Sequence, residues 1–141
     1  MDFKILNSYL SFKTSGDTDI IDITKAVSHK VAESGLTEGQ VLIFVPGSTA
    51  AVTTIEYESG VLWDLKEAIE RLAPTGASYR HDAKWGDGNG YAHVRAALLG
   101  PSLTVPLIKS RLVLGTWQQI VLVDFDNEPR DRKILVSISG F

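Results

Sequence analysis

Two histidines, His81 and His93, bracket a polar, glycine-rich stretch, HDAKWGDGNGYAH, which also carries Asp82, Asp87, Asn89 and Trp85. Three glycines within five residues let the backbone turn sharply and approach a ligand closely. Neutral imidazole serves as a metal ligand or a general base. Two imidazoles with a carboxylate from Asp82, Asp87 or Glu56 fit a two-histidine, one-carboxylate metal site. A helix N-terminus favours anions over an imidazolium, which suits His93, at the head of a predicted helix, to metal binding or base chemistry. The alternative is structural: His93 satisfied within a core, His81 closing a loop. A second candidate is Gly47-Ser48-Thr49, a tight turn after Pro46 whose N–H groups and hydroxyls could hold an anion, or which is an ordinary hairpin connection. Arg95 and Arg111 are possible counter-charges for such an anion. GDGNG is neither a P-loop nor a dinucleotide fingerprint, since it lacks the Lys-Ser/Thr ending and a preceding buried strand. A Ser48, His81, Asp87 triad has no nucleophile elbow to support it.

The elements that must position these groups follow from periodicity. Residues 3–12 alternate as a strand, 14–17 form a turn, and Ile20, Ile21 and Ile23 make a short second strand. A helix capped by Thr24 and ended by Gly35 turns Val27 and Val31 inward and leaves His29 in solvent. QVLIFV (residues 40–45) reads as a central strand buried on both faces. AVTTIEYE (residues 51–58) reads as another strand, carrying Glu56. Ser59 is expected to cap a helix over 61–72 whose apolar stripe is Val61, Leu62, Leu65, Ala68, Ile69 and Leu72. Glu67 and Arg71 are spaced to pair outside it. Trp63 lies opposite the stripe, placed for an interface or for cover by the 74–90 loop. The helix over 91–99 is apolar nearly all round and is expected to be buried. Strands over 102–108, 109–114, 118–125 and 133–139 complete the chain, with a turn at 126–131. Ile120 to Val123 are apolar on both faces and need cover on each side.

Composition limits the function classes. The 141 residues suffice for one domain with a real core. A net charge of −3 without a basic cluster argues against a nucleic-acid partner. The absence of cysteine removes disulfides and thiolate metal sites. No apolar run approaches a membrane span and no signal-peptide pattern opens the chain, so no membrane partner and a cytoplasmic location are expected. The pattern of elements predicts an α+β fold with a mainly antiparallel sheet and about three helices.

The segments PGSTAAVTTIEYE, His81 with WGDGNGYAHVRAALLGPSLTVPL, and LVLGTWQQIVLVDFDNEPRDRKILVSISG together resemble the YjbQ family, uncharacterised protein family 0047, over residues 23–140. The resemblance implies a YjbQ-like β-sandwich-like core and a homotrimer. It also implies a secondary thiamine-phosphate synthase activity, in which a hydroxymethylpyrimidine diphosphate is joined to a thiazole phosphate with release of pyrophosphate. Carried onto matching positions, it makes His81, Asp87, His93 and Glu56 the catalytic candidates. Gly47, Ser48, Thr49, Asn89 and Arg95 are the substrate- or phosphate-binding candidates, and His81 and His93 the metal ligands. A divalent metal, Mg or Zn, is the implied cofactor, no organic cofactor is expected, and the partner is a small phosphorylated molecule. Two departures stand out. Many family members have histidine where this chain has Gly47, and relatives often have another where it has Tyr91. Both count against a three-histidine zinc site. The alternative to the enzyme is a trimeric protein that binds a metal or a phosphorylated ligand without reacting.

Overall fold

A computed structural model describes residues 1–141. The elements run β1 (Lys4–Thr14), β2 (Asp19–Asp22), α1 (Thr24–Ser34), β3 (Gly39–Phe44), β4 (Ala50–Ile55), α2 (Ser59–Leu72), α3 (Arg80–Trp85), α4 (Gly90–Leu99), β5 (Ser102–Ile108), β6 (Arg111–Leu112), β7 (Gln119–Asp124) and β8 (Arg130–Gly140). The strands form two antiparallel sheets, one ordered β1-β8-β3-β5-β6 and one ordered β2-β7-β4. The fold is α+β, as expected, with a fourth helix, α3, inside the stretch that composition marks as loop.

The core has two layers, and β7 divides them. Ile120 and Leu122 face the five-stranded sheet, packing with Val41, Ile43, Val105, Ile134, Val136 and α1. Val121 and Val123 face the opposite way, against Ile69 of α2 and Tyr91, Ala92 and Ala96 of α4. Each of the four is fully buried. The doubly apolar run therefore finds cover on both sides within one chain, by a sheet on one face and helices on the other.

Other elements depart from the pattern read in the sequence. β3 is buried on one face only: Val41 and Ile43 point into the core, while Leu42 on the outer face is 37% exposed. The five-stranded sheet is an outer layer, so the back of its central strand is left uncovered. On α2 only Ile69 is buried, and Leu72 at the end of the stripe is 69% exposed. On α4 Val94 and Leu98 face outward, so this helix too is one-sided. The helix starts also differ. Ile23 holds the N-cap position of α1, and the Thr24 hydroxyl instead accepts from the Ile120 N–H at 2.9 Å. At α2 the Glu58 carboxylate, rather than Ser59, accepts from the N–H groups of Gly60 and Val61, both at 2.8 Å. Those hydrogen bonds hold Glu58 below the usual carboxylate range. Glu67 and Arg71 form no ion pair; Glu70 reaches Arg95 instead. His29 is solvated and pairs with Glu33 at 2.8 Å. The strand expected over 109–114 shrinks to β6, because Lys109 and Ser110 (φ 50° and 66°) make a two-residue hairpin turn. No helix is long and apolar enough to cross a membrane.

Candidate functional site

One end of the sandwich gathers four chain segments around an open cleft of about 410 Å³. Gly47, Ser48 and Thr49 come from the β3–β4 loop. His81 and Trp85 come from α3. Asp87, Asn89 and His93 come from the following loop and the start of α4. Asp126, Arg130 and Arg132 come from the β7–β8 turn and the head of β8. The strands fix this meeting point: β4 begins where Ala50 pairs with Asp124, and β8 begins where Arg130 pairs with Thr14.

The floor is a charged network. The Asp124 carboxylate, wholly buried, accepts from Arg132 Nε at 2.7 Å and Nη2 at 2.9 Å, from the Thr14 hydroxyl at 2.6 Å and from the Asp126 N–H at 3.0 Å. Burial alone would raise its pKa; the Arg132 and Thr14 hydrogen bonds outweigh it and hold the carboxyl below the usual range. Asp126 accepts from Thr49 Oγ1 at 3.0 Å, Arg130 Nε at 3.0 Å and the Asn127 N–H at 2.8 Å. Here too burial pushes up, and the hydrogen bonds from Thr49, Asn89 and Arg130 prevail, so Asp126 is lowered. Thr49 is buried, and its hydroxyl also accepts from Arg132 Nη2 at 2.7 Å, so that side chain is already engaged. The Nη1 groups of Arg130 and Arg132 are not, and neither are the N–H groups of Gly47, Ser48 and Thr49, which have no protein acceptor. Gly47 has φ 121°, and a Cβ there would sit 3.1 Å from Arg132 Nη1, so glycine suits the turn.

The opposite wall carries the imidazoles. His81 Nδ1 lies 3.2 Å from Asp82 Oδ1 and 3.4 Å from Asp87 Oδ1. A carboxylate at Nδ1 favours the tautomer with the proton there, leaving the Nε2 lone pair free as base or ligand. The His93 ring packs on His81 with centroids 4.5 Å apart. Asp82 also ties the loop to α4, accepting the Gly90 N–H at 2.8 Å at the positive end of that helix. Gly90 is required there, since a Cβ would come within 2.7 Å of Tyr79 Cβ. Gly86 and Gly88, with φ of 72° and 68°, bend the chain between α3 and α4.

The structure thus brings together His81, Asp87, His93, Gly47, Ser48, Thr49 and Asn89, seven of the nine residues picked from the sequence. Glu56 and Arg95 stand apart. Glu56 follows the far end of β4, about 20 Å of strand away from Ala50. Arg95 is buried behind α4, donating to the Ala73 carbonyl at 2.9 Å and the Thr18 hydroxyl at 3.2 Å and pairing with Glu70. Arg111 lies exposed on β6, outside the cleft. Tyr91, at a position read as a lost histidine, turns away from the cleft; its hydroxyl donates to Asp17 at 3.2 Å, and burial with the nearby Asp17 charge pushes its pKa up to about 12. The cluster of potential ligand atoms lying within 4.8 Å of one another is His81, Asp82 and Asp87, without His93. Sequence reasoning passed over Arg130, Arg132, Asp124 and Asp126. Their signal was present: the apolar run IVLV ends in two aspartates at alternate positions, DFD, and two arginines at alternate positions, RDR, open the next strand.

Comparison with known proteins agrees with this architecture. The model of the family described as UPF0047 protein YjbQ-like matches residues 8–141. A UPF0047 protein of Archaeoglobus fulgidus is 42% identical over 127 residues, covering 90% of this chain and 96% of its own. One from Methanothermobacter thermautotrophicus is 40% identical over 137 residues, covering 97% and 94%. Among solved structures, a YbjQ-like protein of Sulfolobus solfataricus superposes with a TM-score of 0.94 at 34% identity, over 99% of this chain and 100% of the other. A YjbQ/UPF0047 protein of Clostridium acetobutylicum superposes with a TM-score of 0.85 at 37% identity, over 93% and 98%.

Proposed function

The chain belongs to the YjbQ-like UPF0047 family, and from that premise we propose that it is an enzyme acting on a phosphorylated small molecule in the cleft between Arg132 and His81. The observation that carries the reading is the set of unengaged donors on one wall. The N–H groups of Gly47, Ser48 and Thr49 and the Nη1 groups of Arg130 and Arg132 together offer an anion cradle, facing an imidazole backed by two carboxylates. In this reading the cradle holds the phosphate and His81 Nε2 takes or delivers a proton. Thiamine-phosphate formation, with pyrophosphate leaving as a carbon–nitrogen bond forms, is a side reaction such a site supports, because displacing pyrophosphate calls mostly for positioning and charge neutralisation.

With His81 in its other tautomer, Nδ1 unprotonated, His81, Asp82 and Asp87 also fit a divalent cation: that nitrogen and two carboxylates converge, with ligand atoms within 4.8 Å of one another. Mg or Zn there would neutralise charge on a bound diphosphate. The same cluster favours a second reading, a protein that holds a metal or phosphorylated ligand without turning it over. Assembly as a trimer belongs to both readings. On the outer face of the five-stranded sheet Tyr9, Leu135 and Phe44 lie in register across β1, β8 and β3, and Tyr9 is 58% exposed, a short apolar row suited to a second copy.

The test is turnover of hydroxymethylpyrimidine diphosphate with thiazole phosphate by the wild type and by His81→Ala, with Mg²⁺ supplied. His81 is half-buried at the cleft rim, so the variant should keep its melting temperature and lose about 100-fold or more in rate. Equal rates in the two proteins would remove His81 from the chemistry. Tight phosphate binding without turnover of any phosphorylated substrate would favour the second reading.

A further inference from the structure

Three tryptophans stand at the surface, Trp63, Trp85 and Trp117, exposed by 65%, 66% and 73%. Of the three, Trp85 lines the cleft, and it is the one apolar residue among the 11 that do. Its place follows from α3. That helix buries none of its residues, so the indole packs no interior. His81 and Trp85 are four positions apart on it, one helical turn, which puts both rings on the same face. Helical side chains lean back over the preceding turn, so the indole leans towards His81. The His93 ring packs on His81 from the other helix, with centroids 4.5 Å apart. Gly86, left-handed at φ 72°, ends α3 directly after Trp85. Lys84 Nζ lies over the indole, 5.2 Å from its centre, and no ring of the protein stacks on it.

The cleft therefore has two unlike walls. One offers N–H groups and guanidinium to an anion. The other presents three flat rings, of which the largest is mostly uncovered. Indole gains most from another flat π-system laid against it, offset or edge-on. The polar side chains between the walls have little left for a chain of hydroxyls: Thr49 is bound to Asp126 and Arg132, and Asp126 to Thr49, Arg130 and the Asn127 N–H. An anion carrying a polyol finds few partners here, and an anion carrying a flat ring finds a platform.

Resting on the phosphate reading above, we infer that the ligand of this cleft is a phosphate ester of a flat, unsaturated ring, and that Trp85 stacks on that ring while the cradle opposite holds the phosphate. Trp85 is then the residue that selects among phosphorylated molecules, by the shape of what the phosphate carries.

The experiment is titration of the protein, by calorimetry and by indole fluorescence, with inorganic phosphate, methyl phosphate, glycerol 3-phosphate, cyclohexylmethyl phosphate and benzyl phosphate. The last two carry six-membered rings that differ in being puckered or flat. The wild type should bind benzyl phosphate about fivefold or more tightly than methyl phosphate, and more tightly than its cyclohexyl counterpart. Trp85→Ala should lose that preference while keeping its affinity for inorganic and methyl phosphate and its melting temperature, and Trp85→Phe should retain most of the preference. In the double variant Trp63→Phe, Trp117→Phe, Trp85 is the sole indole, and its emission should respond to benzyl phosphate and not to inorganic phosphate. That readout needs no change at Trp85. Equal affinity for methyl, cyclohexylmethyl and benzyl phosphate would overturn the role of Trp85 and leave the phosphate cradle standing. So would a preference for the flat ring that persists in Trp85→Ala, or glycerol 3-phosphate bound more tightly than benzyl phosphate. A change in the number of chains on Trp85→Ala, seen by light scattering, would assign the indole to a contact between copies and overturn the inference too. Binding of none of the probes, inorganic phosphate included, would overturn the phosphate reading and this inference with it.

Discussion

Replacing Arg132 by methionine isolates the interaction that holds the cleft floor together. Methionine keeps much of the apolar stem and removes the guanidinium. Asp124, with no solvent exposure, would then retain only the Thr14 hydroxyl and the Asp126 N–H as partners. Leaving a buried carboxylate without its counter-charge costs about 3–5 kcal/mol. For a domain of this size that lowers the melting temperature by about 10–15 °C at pH 7. The pH profile makes the test sharper. In the wild type Asp124 and Asp126 are both held below the usual carboxylate range, so their stabilisation is complete above the unfolded value and is lost only as pH falls through the lower folded value. The contribution of these two carboxylates to wild-type stability is thus flat from neutral pH down to about pH 4 and declines below it. Without Arg132, burial becomes the dominant influence and raises Asp124 above its unfolded value. A carboxyl raised in the folded state takes up its proton more readily there than in the unfolded chain, so the variant should gain stability as pH drops from 7 towards 5. Thermal unfolding followed by circular dichroism between pH 4 and 8 reads both effects. The double variant Asp124→Asn, Arg132→Met should recover much of the loss at pH 7, because no charge is then stranded. An Arg132→Met protein melting within about 2 °C of the wild type, with the same pH profile, would refute the assignment of Arg132 as the group that neutralises Asp124.

Two further outcomes follow from the packing. Leu122 is fully buried between β7 and the five-stranded sheet, so Leu122→Ala should cost about 2–5 kcal/mol, measured as a shift in the urea midpoint at unchanged slope. Tyr9 stands on the outer face of β1, so on the trimer proposed above the wild type should scatter light as three chains and Tyr9→Glu, with its fold intact, as one; a wild-type mass of one chain would overturn the trimer, and a three-chain mass unchanged by the substitution would move the contact elsewhere.

The architecture was legible where one physical requirement acted alone. A strand apolar on both faces must be covered twice, and Ile120 to Val123 are. Gly35 ends α1 in a left-handed conformation, as glycine readily does. His29 falls on the wet side of its helix because the helical period puts it there. Reading failed where two requirements competed for the same residues. QVLIFV has the composition of a strand covered on both faces, yet its sheet forms the outer layer, and nothing within those six residues records which layer a strand joins. Arg95 has the chemistry of an anion ligand, but its position on α4 directs it to Glu70, Thr18 and the Ala73 carbonyl behind the helix.

For the site, the sequence determined the chemical inventory and the local bends: His81 and His93 at the two ends of a glycine-rich turn, and a Gly-Ser-Thr loop with free N–H groups. Those depend on residue type and on backbone freedom, which are local. The other wall of the cleft is a matter of register. Arg132 reaches Thr49 across 83 positions of sequence because β4 pairs with β7 at Ala50 and Asp124, and because β8 begins beside Thr14. That same pairing sets Asp126 against Asn89. Only the tertiary structure could decide this, since an asparagine's partners are fixed by whatever the rest of the chain places within hydrogen-bond reach.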